Sequence, residues 1–184
     1  MSKENINYQE EVVKAGLLVG LTSVLFTLVA YMISVEIMTE WWFSLLTLVI
    51  TIGLTIYLGI SYRSSIGGYI SFSESFKFSF IAMAISYVIG IIFSIVLYNV
   101  IDPGLAEVIK EITVEKTVDM LESFGSSDEV IDATIEGVEK GIDDNTTAIG
   151  LIKSSPYGLL FIALLSLLTS LFIKKNKEIS DRIN

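Results

Sequence analysis

Four apolar runs, at positions 15–35, 42–60, 76–101 and 157–173, constrain this chain more than anything else in it. None has an Asp, Glu, Lys or Arg in its interior. At ~1.5 Å of helical rise per residue, a run of about twenty residues matches the ~30 Å hydrocarbon core of a bilayer. The fourth run sits near the short limit of what crosses. Inside lipid every backbone N–H and C=O must find its partner within the segment. The β-branched stretch of the second run (Thr47, Val49, Ile50, Thr51, Ile52, Thr55, Ile56) therefore reads as helix, although it would suit a strand in water. Hydrophobic residues make up 52% of 184 positions and charged residues 18%, which places the chain outside the range of soluble domains. The expected class is all-α: a polytopic membrane protein with four transmembrane helices, no internal repeat, and the lipid bilayer as its main partner.

The same inventory removes most chemistry. There is no cysteine and no histidine. Disulfides, thiolate metal sites, the commonest general base and the usual pH switch are absent with them. Ionisable residues inside a span mark proton relays, ion paths and embedded catalysis, and these spans have none. No phosphate-binding loop, zinc pattern or nucleophile elbow is present. The expectation is no catalytic residue, no metal, no cofactor and no enzyme. A pore lined by the hydroxyls of Ser79, Ser86, Ser94 and Thr47 stays open, but the same residues serve as interhelical hydrogen-bonding groups.

Between the runs the chain is punctuated. Residues 1–14 form a short polar lead, and the run after it is longer than a signal-peptide core, with no small-residue cleavage pattern near 34–39. Residues 36–40 make a tight connection, followed by Trp41 and Trp42 at headgroup level. In residues 63–77, Gly67 and Gly68 permit a sharp turn, Ser71 or Ser73 can cap the next helix, and Glu74 suits the positive end of its dipole. This stretch reads first as a turn with an interface-anchored helix entry, and second as a re-entrant or partner-binding loop. Ala82, Ser86, Gly90 and Ser94 line one face of the third span with small side chains, and Gly16 and Gly20 do so on the first. Such faces let helices approach closely, within one subunit by the first reading and between two copies by the second.

Residues 102–155 differ in kind. Asp102 can cap a new helix with Pro103 at its first position. Leu105, Val108, Ile109 and Ile112 form one apolar stripe, while Val114, Val118 and Leu121 fall on another face, which allows a bend over 113–117. Gly125 has the character of a helix C-cap, and Ser126 to Glu129 has capping-box spacing, so a helical hairpin is expected to turn there. On its second arm Ile131, Ile135, Val138 and Ile142, with Ile149 beyond, share a narrow stripe, and Asp128, Asp132, Glu136, Glu139 and Asp143 lie on another face. Thirteen acidic residues against four lysines give this segment the whole net charge of −9. Such a surface repels nucleic acid and anionic headgroups. Divalent cations or a basic partner are the functional readings of these acidic rows; calcium-loop spacing is absent, and a plain solvated face is the first reading. Asp128, Asp132, Glu136, Ile131, Ile135 and Val138 are the candidate partner-binding residues, and Gly16, Gly20, Ala82, Ser86, Gly90 and Ser94 the candidate helix-packing residues.

The chain thus divides into residues 1–101, 102–155 and 156–184. Lys and Arg near the span ends fall in the N-terminal lead, the second connection (Arg63, Lys77) and the tail (Lys174, Lys175, Lys177, Arg182), with none in residues 36–40. The expected orientation has both termini cytoplasmic and the acidic hairpin on the other side, in the periplasm or outside the cell. Three features, the lead into Lys14-Ala15-Gly16 and Gly20, the Gly68-Tyr-Ile-Ser-Phe-Ser-Glu-Ser-Phe-Lys77 stretch, and an acidic helical insertion before a last span ending in Lys174-Lys175, resemble the DUF4199 family. These are uncharacterised bacterial membrane proteins, found mainly in Bacteroidetes. The resemblance implies residence in the inner membrane of a Gram-negative cell and carries no catalytic or binding residue. Two roles remain: a structural or interaction protein whose hairpin docks a protein partner or a second copy, and a small oligomeric transport or channel component.

Overall fold

The computed structural model describes residues 7–177; Lys3 and Glu4 of the polar lead and Arg182 of the tail lie outside them. Seven α-helices follow one another: α1 (Tyr8–Ile33), α2 (Val35–Thr39), α3 (Trp41–Ser65), α4 (Phe72–Val96), α5 (Leu105–Ser123), α6 (Asp128–Thr146) and α7 (Ala148–Ile173), with a π-helical turn, Leu97–Ile101, closing α4. The chain is all-helical, and α1, α3, α4 with its π turn, and α7 are long and apolar enough to cross a membrane. Each starts earlier than the run that predicted it, because polar residues at span ends hydrogen-bond in the helical register as readily as apolar ones, but α1 stops at Ile33, short of the expected 35, where Ser34 caps α2. Residues 36–40 are correspondingly not a bare connection: Ser34 accepts the Glu36 N–H at 3.2 Å and starts the short helix α2.

Two compact units divide the described chain, residues 7–24, 46–90 and 157–177 in the first, and residues 25–45 and 91–156 in the second. In the first unit Val12 and Ala15 of α1 meet Phe78 and Ala82 of α4, with Tyr8, Leu58 and Tyr62 packed around them. The buried polar side chains here are small, Thr55, Ser75, Ser79, Ser86, Ser166, Thr169 and Ser170, while Leu17, Leu18, Leu21, Leu160 and Leu164 are exposed. Large apolar groups outside and small hydroxyls inside is the arrangement a lipid solvent favours. Most of the hydroxyls turn back on their own helix: Thr55 donates to the Thr51 carbonyl, and Ser166 to that of Ile162. Ser166 Oγ also lies 3.7 Å from Met83 Sδ on α4.

One end of this unit is tied by its connections. Gly67 and Gly68 take φ of 109° and 85°, a left-handed backbone that a side chain would strain, and free α4 to start at Phe72. Ser71, not Ser73, is the cap. Its hydroxyl accepts the Glu74 N–H, and Glu74 Oε2 accepts from both the Ser71 N–H and hydroxyl, a complete capping box. Ile70 and Lys175 exchange two backbone hydrogen bonds at 3.0 Å. Arg63 donates to the Ile173 carbonyl at 2.6 Å, satisfying one of the acceptors left free at the end of α7.

In the second unit Phe26 stacks on Phe43 at 5.1 Å, and Lys116 of α5 bonds Thr39 and Glu40 beside α2. Asp102 does not cap α5. The helix starts at Leu105 after Gly104, and the Asp102 carboxylate instead accepts the Tyr31 hydroxyl at 2.9 Å. No bend interrupts α5, where Thr113 and Thr117 donate to carbonyls one turn back and leave the ladder intact. Gly125, at φ +70°, donates to Glu122, and Ser126 donates to Leu121, the paired bonds of a Schellman turn. The capping box at Ser126 does not form; Ser127 is the residue before α6, without a side-chain hydrogen bond. A further correction concerns α7, which begins at Ala148 and carries Pro156 inside it. Proline removes one helical donor, and the carbonyl of Ile152 that it would serve accepts the Ser155 hydroxyl at 2.8 Å instead. Ile149 therefore belongs to α7, is exposed, and drops out of the α6 stripe.

Candidate functional site

The predicted partner-binding residues all fall on α6. Ile131 is buried and Ile135 and Val138 are half-buried on α6, which packs against α5. Asp128, Asp132 and Glu136 are exposed and close no ion pair among the described residues. The aliphatic three are thus withdrawn from the surface to different degrees, and the three carboxylates are exposed. Further along the helix Asp143 accepts Lys110 of α5 at 3.0 Å. That hydrogen bond, helped by the charges of Asp143, Glu107 and Glu139, raises the Lys110 pKa above the ordinary lysine value. Near the Gly125 turn Met120, Phe124 and Val130 are exposed at 51%, 78% and 50%, with no helix among the described residues covering them. The sequence reading missed these three, whose signal was an aromatic and two aliphatic residues in a segment otherwise patterned to bury them.

The helix-packing residues separate into two sets. A Cβ on Gly16 would stand 2.9 Å from the Ala82 carbonyl and 2.7 Å from Ile85 Cβ, and one on Gly20 3.1 Å from Ser86 Cα, so α1 and α4 approach closely there. Ala82 and Ser86 are buried at this contact. Gly90 has nothing within 4 Å of where its Cβ would be, and Ser94 is half-buried in the second unit. Two close approaches were not legible in the sequence: Gly59 under Ile173, and Gly158 under the Tyr87 hydroxyl.

The first unit also has a half-open pocket of about 300 Å³ lined by Tyr8, Tyr62, Ile66, Ile70, Glu74 and Lys77. The loop after α3 supplies its aliphatic wall, and the capped start of α4 supplies its two charges. Tyr8 meets Tyr62 edge-on at 5.8 Å, and Tyr62 stacks on Phe78 at 5.1 Å, which fixes both phenol rings. The Tyr8 hydroxyl is buried with no hydrogen-bond partner among the described residues. Near the end of α7, Lys174 lies over the Phe72 ring and Lys175 and Lys177 over that of Tyr69, at 5.5 to 5.8 Å. Residues 63–77 are thus the turn and helix entry favoured by the sequence, and they also build one side of this mainly apolar pocket. Tyr8 escaped the sequence reading because it sat in the polar lead; its signal was the spacing Tyr8, Val12, Ala15, Val19 on one helical face. Among the described residues no group of acidic side chains is placed to hold a metal ion.

The family model described as "Protein of unknown function (DUF4199)" matches residues 14–175. No curated protein and no solved structure matches the chain.

Proposed function

Since the chain belongs to the DUF4199 family, whose description assigns no activity, we propose its role from its surfaces: a non-enzymatic membrane protein that docks a basic protein partner through an α5–α6 hairpin outside the bilayer. The observation that carries this reading is the joint exposure of the unpaired carboxylates Asp128, Asp132 and Glu136 and of Met120, Phe124 and Val130 near the turn. An apolar anchor beside charges of one sign is what a complementary interface uses: the anchor supplies affinity and the charges supply steering and selectivity. A second copy would bring the same negative face and repel, which favours a partner of opposite charge.

Charge distribution supports an orientation. The described part of the first unit holds Lys14, Arg63, Lys77, Lys174, Lys175 and Lys177 against three carboxylates, and the second unit holds fifteen carboxylates against four lysines. In a bacterial inner membrane the positively charged span ends stay in the cytoplasm. Both termini are then cytoplasmic, and α5 and α6 face the opposite compartment.

The test is purification of the tagged full chain from its native membrane in mild detergent, with and without Asp128→Lys, Asp132→Lys and Glu136→Lys together. A companion with a basic surface should be retained by the wild type, released by high salt, and weakened at least ~10-fold by the triple reversal. Reciprocal acidic substitutions on that companion should restore binding. A companion held equally well by both forms, or none held by either, ends the proposal.

A further inference from the structure

Three lysines follow directly on α7, and the connection before α4 holds them in place. The Lys174 N–H donates to the Ser170 carbonyl at 2.9 Å, and Lys175 exchanges its two backbone hydrogen bonds with Ile70 at 3.0 Å. Beside them the Arg63 guanidinium donates to the Ile173 carbonyl at 2.6 Å. On this fixed backbone the ammonium of Lys174 stands 5.8 Å from the centre of the Phe72 ring. Those of Lys175 and Lys177 stand 5.5 and 5.7 Å from the centre of a single ring, that of Tyr69. A ring face attracts a cation through its quadrupole, so these side chains have given up part of the rotamer freedom that a surface lysine keeps. All three are exposed, and none closes an ion pair among the described residues. Of the unit's carboxylates, Glu74 is engaged by Ser71 and Glu11 by Lys14. Residues 174–184 as a whole carry four basic side chains against two acidic ones, so the charge keeps its sign through the tail.

Like charges gathered on neighbouring rings repel one another, and an anion set among them relieves that repulsion. The level at which they gather says which anion. In the turn before them Leu168, Leu171 and Phe172 are exposed at 55%, 52% and 65%, an apolar face that ends where the lysines begin. Apolar side chains outward as far as the end of α7 and cations directly after it match the passage from acyl chains to phosphates in one leaflet. We propose that Lys174, Lys175 and Lys177, steadied by Phe72 and Tyr69, bind the headgroup of an anionic glycerophospholipid. Its phosphodiester accepts from the ammonium groups, and its acyl chains lie along Leu168, Leu171 and Phe172. A zwitterionic ethanolamine lipid brings an ammonium of its own into a cluster of ammoniums and is disfavoured. A soluble phosphate ester shares the headgroup chemistry but makes no use of the apolar face. The surface belongs to the first unit and is independent of the docking role of α5 and α6.

Native mass spectrometry of the full chain in mild detergent tests this with three probes: a phosphatidylglycerol, a phosphatidylethanolamine with the same acyl chains, and glycerophosphoglycerol, the chainless headgroup. The glycerol lipid should be retained roughly tenfold over the ethanolamine lipid, a preference that high salt removes, and the chainless headgroup should not compete. Lys174→Gln, Lys175→Gln and Lys177→Gln together should bring the two lipids to equal retention by weakening the glycerol lipid alone, with a wild-type thermal transition. A second variant separates a built site from loose positive charge. Lys175→Gln with Asn176→Lys keeps the charge of the segment but moves one ammonium off the Tyr69 ring, because neighbouring residues of an extended backbone point to opposite sides, and it should weaken the glycerol lipid several-fold. Equal retention of the two lipids by the wild type overturns the proposal, as does an unchanged preference in the triple variant. Full preference in the relocated variant overturns it in favour of diffuse charge, and competition by glycerophosphoglycerol as strong as by the intact lipid overturns it in favour of a soluble phosphate-ester site.

Discussion

Hydroxyl groups inside the first unit show how individual residues meet the demands of a lipid solvent. Thr55 and Ser166 spend their donors on carbonyls four residues back, whereas Ser79 is buried with no partner among the described residues. An orphaned buried hydroxyl costs about 1–3 kcal/mol, so Ser79→Ala should leave stability unchanged or raise it by ~1 kcal/mol, read from thermal unfolding in detergent. A loss of stability on that substitution would mean that Ser79 has a partner in the folded protein. Lys110 carries a pH signature of the opposite kind. Its pKa is raised by the hydrogen bond to Asp143, so the folded state holds the proton more tightly than the unfolded one. That contribution is complete below the ordinary lysine pKa and disappears as pH rises through the raised value. Asp143→Asn should flatten the alkaline limb of a stability–pH curve without altering its neutral part by more than the loss of a half-exposed ion pair. Neither the lack of a partner for Ser79 nor the Lys110–Asp143 pair was legible in the sequence, since a residue's own type does not say which group will face it across a helix boundary.

Helices were legible where local rules act alone. Gly125 and its Schellman bonds follow from one residue's tolerance of positive φ, and Gly125→Ala should cost about 1–2 kcal/mol, measurable as a lowered melting temperature with the helix content retained. Local rules misled where two signals competed. Asp102-Pro103 has the composition of a helix start, yet Tyr31, 71 positions earlier, takes the carboxylate that would have capped it. Pro156 has the composition of a boundary, yet α7 runs through it because Ser155 serves the carbonyl that proline cannot. Ser126 and Glu129 have the spacing of a capping box, but the Schellman turn uses the Ser126 backbone and shifts the helix start by one residue.

Across the molecule the four apolar runs, the all-helical class and the segregation of charge are read from the sequence, because each depends on composition over a window longer than any side chain can reach. A span must be apolar along its length, and the lipid leaves its backbone no alternative to helix. Small residues on a helical face announce close packing without saying which of them is covered. Gly16→Leu should destabilise the chain, since the new side chain meets the Ala82 carbonyl and Ile85, while Gly90→Leu should leave the folded monomer intact. Comparison of their unfolding temperatures and their mass in detergent checks this, and loss of a homo-oligomer by Gly90→Leu alone would identify that open position as a contact between copies. The pocket between Tyr8, Tyr62 and Glu74 and the pairing of Lys110 with Asp143 were decided by tertiary structure. Each joins residues from different helices whose rotation about their own axes is set by packing, and no pattern within one helix records where its neighbour's side chains will stand.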